Sequence, residues 1–225
     1  MRTILKIGCF LPGVMVLLLF AALYGAEPAR TVSTDFTAEP TDFPRSVAGT
    51  SLEVLRYGGY EGPYLEDGSN DEVRNVASIL LKNTGEKALM YGIILVEAGE
   101  EVQSFSCGVL LPGMTALVLE ADRKQYTEAV PGRIQGTVRC EDTDRSLLHS
   151  LSVTDVDMGT IRVTNCGDDT LRDFSITYKN SLPEEIVLLG GVCYKTEPIT
   201  LAPGESKLVH PDHYASGYSR IVWAE

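Results

Sequence analysis

Val76–Gly85 reads VASILLKNTG and Met158–Gly167 reads MGTIRVTNCG, and these two matching stretches decide the fold. In each stretch, apolar and polar residues alternate before an Asn-x-Gly sequence. Alternation with a period of two residues predicts a half-buried β-strand, and the asparagine and glycine predict the turn that ends it. The chain therefore contains the same strand and turn twice.

A second pair of matching stretches lies further along each copy. Leu110–Glu120 reads LLPGMTALVLE, and Leu201–Pro211 reads LAPGESKLVHP. Proline followed by glycine suits the two central positions of a type II turn, in which the glycine takes a positive φ. Two copies of this length predict tandem domains, because the units of a solenoid are shorter and more numerous.

The remainder of both copies also reads as short strands. Runs that favour β structure occur at Ile93–Val96, Arg133–Cys140, Phe174–Tyr178 and Tyr218–Ala224. Sustained helical periodicity is missing from the sequence after the N-terminal segment. The sequence therefore predicts an all-β fold of two tandem antiparallel immunoglobulin-like β-sandwich domains, residues 49–142 and 143–225.

The last of these runs predicts how the second domain is closed. In the sequence YSRIVWA at Tyr218–Ala224, Ile221 and Trp223 share the more apolar face, and Trp223 is the sole tryptophan of the chain. We expect this strand to pair within the second domain and to bury Trp223 there. Its removal should then unfold the second domain alone.

The N-terminal segment predicts a membrane anchor. Ile7–Tyr24 is an uncharged apolar run near the minimum length of a membrane-spanning helix, and Arg2 and Lys6 precede it. Basic residues flanking such a helix stay in the cytoplasm. Residues 1–25 are therefore predicted to form a short cytoplasmic tail and a single transmembrane helix, with the rest of the chain extracytoplasmic.

A cleaved signal peptide is the alternative to this anchor. Cleavage requires small residues at the first and third positions before the cut, and Leu23 or Tyr24 would occupy the third. The sequence therefore favours an uncleaved anchor. Residues 26–48 follow it as a linker, because they are rich in proline, serine and threonine and lack a periodic apolar pattern.

The charge of the chain limits its partners. The whole chain carries a net charge of −12, although its first 25 residues contain two basic residues and no acid. A protein with this much negative charge repels phosphate backbones, which argues against nucleic acid as a partner. The same charge keeps an exported domain soluble.

The repeated pattern resembles a family of envelope modules. The order V-x-N-x-G, a leucine, a β run and L-x-P-G-E-S is carried by Ile161–Leu171 and Leu201–Ser206, and more loosely by Ile79–Leu89 and Leu110–Met114. It resembles the FxLYD and CARDB-like β-sandwich modules of bacterial cell-envelope proteins. That resemblance implies an immunoglobulin-like fold and a role in adhesion, spacing or assembly. Met114 and Thr115 depart from the pattern, since the second copy has Glu205 and Ser206 there.

Two short segments contain metal-binding residue types. His210 and His213 flank Pro211 and Asp212, and Asp67, Ser69 and Asp71 lie in an acidic loop, Glu66–Glu72. The histidines fall in a predicted turn, and the loop lacks the glycine and the bidentate glutamate of an EF-hand. We interpret both segments as solvated surface and predict no metal, cofactor or catalytic residue.

Tyrosines and cysteines supply the remaining candidates. Tyr57, Tyr60 and Tyr64 lie among glycines, and this pattern is typical either of an exposed contact surface or of a flap packed on the first domain. The sequence favours the flap. Outside the anchor there are four cysteines, which allow one disulfide per domain but are better interpreted as unpaired, buried residues: Cys107, Cys140, Cys166 and Cys193.

These patterns together predict a membrane-anchored, extracytoplasmic binding or assembly module of the bacterial envelope. Its partner would be an envelope protein or a wall component. A wall-modifying hydrolase and the external subunit of a signalling complex are the alternatives. Because no nucleophile, paired carboxylates or phosphate-binding loop can be recognised, the chain is predicted not to be an enzyme.

The anchor prediction is tested by the intact mass of protein extracted from membranes. Because the cleavage site is poor, we expect the mass to include residues 1–25. A mature chain that begins at Ala26 or Glu27 would show instead that the segment is a cleaved signal peptide.

Overall fold

The computed structural model describes Phe36 and residues 42–69, 71–128, 130–182 and 187–225. Within these residues no helix is long and apolar enough to cross a membrane. The predicted anchor, Ile7–Tyr24, lies outside them. The described part of the chain is all-β, as predicted, and its helical content is limited to two short 3-10 helices, Thr143–Arg145 and Leu147–Ser150.

Strands cover all four predicted runs except for Tyr218, but the run Phe174–Tyr178 is divided at Ser175 between two strands of different sheets. The strands are β1 (Arg45–Ser46), β2 (Leu52–Pro63), β3 (Glu72–Asn83), β4 (Ala88–Ala98), β5 (Glu101–Cys107), β6 (Thr115–Leu119), β7 (Pro131–Glu141), β8 (Leu151–Asp157), β9 (Thr160–Asn165), β10 (Leu171–Phe174), β11 (Ile176–Ser181), β12 (Val187–Lys195), β13 (Ile199–Leu201), β14 (Ser206–Val209) and β15 (Ser219–Ala224). We refer to residues 49–142 as the first half and to residues 143–225 as the second half.

One seven-stranded sheet runs through both halves. Its strand order is β1-β2-β3-β6-β12-β11-β15. Its neighbouring strands are antiparallel except β6 and β12, which are parallel. Because β6 belongs to the first half and β12 to the second, this parallel pairing joins them. All the described residues accordingly fall in one compact unit.

Each half repeats the same strand pairings. The first half contains the orders β2-β3-β6 and β5-β4-β7, and the second half contains β8-β9-β14 and β12-β11-β15. In the first half, Ile79 of β3 and Ile94 of β4 lie in one buried cluster, the first core. In the second half, Ile161 of β9 and Ile176 of β11 lie in another, the second core. Apolar faces of two strand groups therefore meet in each half.

Side-chain hydrogen bonds of Asn83 link the end of β3 to the turn before β6. Its side-chain amide donates hydrogen bonds to the carbonyls of Lys87 and Leu110, at 2.9 and 2.8 Å, and its side-chain oxygen accepts from the N–H of Gly85 at 3.0 Å. The asparagine is buried. Burial of a side-chain amide costs free energy unless its polar atoms are hydrogen-bonded, and these three bonds satisfy the amide of Asn83.

Asn165 makes the same contacts in the second half. Its amide donates to the carbonyls of Asp169 and Leu201, at 2.8 and 3.1 Å, and its oxygen accepts from Gly167 at 3.0 Å. Every one of these partners is the residue that the sequence match aligns with a partner of Asn83. The Asn-x-Gly pattern thus reflects a buried hydrogen-bond network in both copies.

The Pro-Gly turns match as well. Gly113 has a φ of 77° and Gly204 a φ of 75°, the left-handed conformation that the type II assignment requires of this glycine. Their N–H groups donate to the backbone carbonyls of Asn83 and Asn165, at 2.8 and 2.9 Å. Each turn is therefore tied to the end of the matching strand.

Several residues assigned to the linker belong to the folded body. Arg45 and Ser46 form β1, which pairs with β2, and Val47 is buried in the first core. Phe36 packs against the opposite face of the sheet, where the guanidinium carbon of Arg56 lies 4.9 Å from its ring centroid. The compositional signal of a linker did not reveal these contacts, because a two-residue strand carries no periodicity.

The last strand, β15, contributes side chains to both cores because it contains a bulge. Thr177 of β11 pairs with Trp223, but Tyr178 pairs with Ile221, so Val222 is an extra residue in the ladder. As a result Val222 and Trp223 both lie in the first core, whereas Ala224 lies in the second and Ile221 packs against it. Pairing of β15 within the second half and burial of Trp223 are confirmed, but Trp223 is buried among residues of the first half.

Truncation of Trp223 should therefore weaken both halves. Trp223 is 1% exposed, and replacing a buried tryptophan with alanine costs about 3–5 kcal/mol. We expect Trp223→Ala to lower the melting temperature and to increase hydrogen exchange in strands of both halves. Tyr218→Ala, at a residue 47% exposed just before β15, should have little effect. Loss of protection confined to the second half would contradict the shared core.

Candidate functional site

Tyr57, Tyr60 and Tyr64 form part of the folded interior. All three side chains are buried, as expected of packed residues and not of a contact surface. They do not form a flap, however, because Tyr57 and Tyr60 belong to strand β2 and pair with β3. Their hydroxyls donate hydrogen bonds inside the protein, to the side-chain oxygen of Gln103 and to the carbonyls of Pro63 and Glu120. Burial raises the pKa of Tyr64 to about 12, so it stays uncharged at neutral pH.

Two carboxylates of the acidic loop are paired with an arginine. A terminal nitrogen of Arg123 donates to Asp67 at 2.6 Å and to Asp71 at 3.2 Å, and the guanidinium lies 4.3 Å from the centroid of the Tyr64 ring. Hydrogen bonds from Ser69, with a smaller contribution from Arg123, lower the pKa of Asp67 to about 2. The two carboxylates that a calcium ion would need are therefore already paired with a cation.

The two histidines of the His210–His213 segment have different surroundings. The Nδ1 atom of His210 lies 2.9 Å from the hydroxyl of Thr160, and the ring of His213 lies 4.9 Å from that of Tyr194. In the part of the chain that the structure describes, no group of three histidine, cysteine or acidic residues is placed to hold a metal ion. That the protein binds no metal stays a prediction.

The four described cysteines are unpaired thiols. Cys107 is buried in the first core, where burial raises its pKa to about 11, and Cys193 is half-buried. These two fit the interpretation as small apolar residues. Cys140 and Cys166 do not, because both are exposed.

A cleft of about 490 Å³ lies where the two halves meet, and we call it the junction cleft. The first half contributes Tyr64, Tyr91 and Arg123, and the second half contributes Val192 and Cys193. Tyr91 is 47% exposed. The cleft exists only because β6 and β12 bring the halves together.

Glu66 lies in this cleft and bridges the two halves. The pairing of β6 with β12 ends at Leu117 and Leu189. Just beyond it, the Glu66 carboxylate accepts one hydrogen bond from the N–H of Leu119 at 2.8 Å and another from the N–H of Gly191 at 2.7 Å. A side chain thus continues the ladder where direct pairing of the two strands stops.

The charge of Glu66 is set by its position between the strands. Burial raises its pKa to about 7, while the two backbone N–H groups and the nearby Lys179 act in the opposite direction. Lys179 is itself fully buried and donates to the carbonyl of Gly191 at 3.2 Å. Glu66 therefore changes its charge near neutral pH at the point where the halves meet.

The arrangement suits binding better than acid–base catalysis. A carboxyl group that titrates near pH 7 is common at catalytic sites. However, both oxygens of Glu66 already accept hydrogen bonds from the backbone, and neighbouring Asp67 is paired with Arg123. Asp67 is therefore not free to act with Glu66 as the second carboxylate of a catalytic pair. The exposed ring of Tyr91 can instead contact a partner.

A second cleft, of about 630 Å³, also lies between the halves, and we call it the Trp223 cleft. Its lining comes from the Pro-Gly turn of the first half, from the two 3-10 helices and from β15: Leu111, Pro112, Met114, Thr143, Asp144, Ser146, Leu148, His149, Val222 and Trp223. The indole N–H of Trp223 makes no hydrogen bond to a described residue. The Glu225 side chain lies close enough to interact with it, although Lys195 is the main partner of that carboxylate.

Sequence reasoning did not identify either cleft. Glu66 was grouped with the acidic loop, and its neighbours in sequence give no sign that it leaves that loop to reach β12. The Trp223 cleft did leave one signal, the departure of Met114 from the residue in the matching turn. Both clefts depend on how the halves are joined, and that arrangement is not encoded in either copy alone.

The chain matches no family model, no curated protein and no solved structure.

Replacement of Glu66 tests its role in the junction. Because the pKa of Glu66 is raised in the folded state, its stabilising contribution is full below its ordinary value of 4.5 and is lost as the pH rises through about 7. We expect the free energy of unfolding of the wild type, relative to Glu66→Gln, to fall across this pH range. Denaturant unfolding at several pH values measures the difference. Glu101→Gln, at the exposed start of β5, controls for the loss of one negative charge, and equal pH dependence in all three proteins would contradict this role.

Proposed function

We propose that this chain is a membrane-anchored, extracytoplasmic binding module of the bacterial envelope, and that it contacts its partner through the junction cleft. The observation that carries the proposal is the exposed Tyr91 beside a mostly apolar cleft built from both halves. Tyrosine is, with tryptophan and arginine, one of the residue types that most often dominate binding energy at protein interfaces, and Tyr91 lines this cleft with its side chain 47% exposed.

The continuous sheet supports a binding role of this kind. A partner surface loses affinity when binding has to order flexible parts. Here the parallel pairing of β6 with β12 and the Glu66 bridge hold the two sides of the cleft in one body. The cleft is therefore formed before a partner arrives.

We further propose that the two halves are repeat-related, immunoglobulin-like β-sandwich units of the FxLYD and CARDB-like type. The matching networks at Asn83 and Asn165 and the matching strand orders support this assignment. Modules of that type serve as spacing and assembly units. In this chain they would act as one unit, because they share a sheet.

A wall-modifying hydrolase is the weaker alternative. Hydrolysis of a glycan needs a pair of carboxylates at a set spacing, or a nucleophile beside a base. The commitment of Glu66 to two backbone amides and the pairing of Asp67 with Arg123 argue against such a pair in the junction cleft. An external subunit of a signalling complex would use the same binding surface and need a partner to cross the membrane.

Photo-cross-linking from position 91 tests the proposed surface. We expect the full chain with p-benzoylphenylalanine in place of Tyr91 to form an adduct of defined mass, with an envelope protein or a wall fragment, in intact cells. The same photo-reactive residue in place of Tyr218, which is equally exposed at 47%, serves as the matched control and should give no such adduct.

Two results would count against the surface. One is the absence of any adduct from position 91 when the protein is present in the membrane. The other is the same set of adducts from positions 91 and 218, because non-specific neighbours would be captured equally by both. Tyr91→Ala should also release a genuine partner without lowering the melting temperature.

A further inference from the structure

We propose that the Trp223 cleft binds an uncharged aliphatic ligand, such as the acyl chain of a neutral ester. This site is separate from the junction cleft and does not depend on the function proposed for it. It combines a volume suited to a small molecule, an apolar lining drawn from three parts of the chain, and a sequence difference between the two copies that falls on the cleft.

The size and lining of the cleft indicate the ligand class. Its volume of about 630 Å³ lies within the range of small-molecule sites, which are mostly apolar and have few polar groups. Leu111, Met114 and Leu148 are aliphatic residues that line it, together with Val222 and Trp223. Burial of an aliphatic chain on such a surface is favourable by about 25 cal/mol per Å² of apolar area removed from water.

The matching turns supply an independent observation. In the second copy, Ala202 and Glu205 occupy the positions of Leu111 and Met114, and both are exposed to solvent. The backbone of the two turns is the same, since Met114 and Glu205 each donate to a carbonyl three residues earlier at 3.0 Å. The turn geometry therefore does not require leucine and methionine here. In the first copy this half-buried pair packs against the first core and also lines the cleft.

The charges around the cleft favour an uncharged ligand. Among its described lining residues there is no lysine or arginine, and Asp144 is the only acid. The Nδ1 atom of His149 lies 2.7 Å from the carbonyl of Ser146, so that ring nitrogen is already engaged. The chain as a whole carries −12. A fatty carboxylate would meet this negative charge without a cation to pair with, whereas a neutral ester would not.

Trp223 makes the test direct, because it is the sole tryptophan and lines the cleft. A bromine atom quenches tryptophan fluorescence at short range, so a ligand in the cleft can be detected although the Trp223 side chain itself is 1% exposed. The full chain, kept soluble by an amphipathic polymer without free detergent, is titrated with methyl ω-bromoundecanoate at pH 8. We expect saturable quenching of Trp223 that unbrominated methyl undecanoate reverses by competition. The free acid, ω-bromoundecanoate, should quench at least tenfold more weakly.

Reciprocal variants of the matching turns provide the control. Met114→Glu installs the residue of the second copy in the cleft and should abolish saturable quenching. Glu205→Met makes the opposite change on the exposed turn and should leave it unchanged. Near-ultraviolet circular dichroism checks the fold of both, and the competition experiment decides the question on the wild type if Met114→Glu does not fold.

Three outcomes would overturn the proposal. One is quenching that rises linearly without saturation, which indicates partition into the polymer. Another is equal quenching by the ester and the acid, which removes the basis for an uncharged ligand. The third is no quenching, together with a dimer that forms as the protein concentration is raised and that Met114→Glu prevents, which would make a second copy of the chain the occupant.

Discussion

The structure depends on the parallel pairing of β6 with β12. Every other pairing within the seven-stranded sheet joins strands of the same half, apart from β1 at its margin. Only three residue pairs make up this parallel ladder. Parallel pairing is slightly weaker per residue than antiparallel pairing. The carboxylate of Glu66 and the bulged end of β15 therefore add to the stability of the junction, because both make further contacts between the halves.

These additional contacts differ in their response to the environment. Val222 and Trp223 stabilise the junction by removing apolar surface from water, and this contribution does not depend on protonation. Glu66 contributes through hydrogen bonds to Leu119 and Gly191, and burial raises its pKa to about 7. The junction thus combines a constant apolar contact with a polar one that responds to pH.

The sequence predicted what each copy forms but not how the copies are joined. The strands, the Asn-x-Gly turns and the glycines with positive φ could be predicted because local patterns determine them, and Gly113 and Gly204 are clear examples. Glu66 could not be assigned, because its partners lie far along the chain and only tertiary structure brings them together. The side of the sheet on which Val222 lies could not be predicted either, since a single extra residue in the ladder reverses a period-two pattern.

The contact between Phe36 and Arg56 extends the folded body toward the N-terminus. Phe36 packs against the sheet, and the guanidinium carbon of Arg56 lies 4.9 Å from its ring centroid. Val47 and β1 also belong to this body. A fragment cut at residue 49, where the sequence places the domain boundary, would leave the apolar surface under these residues open to water. It should therefore aggregate more readily than a fragment that starts before Phe36.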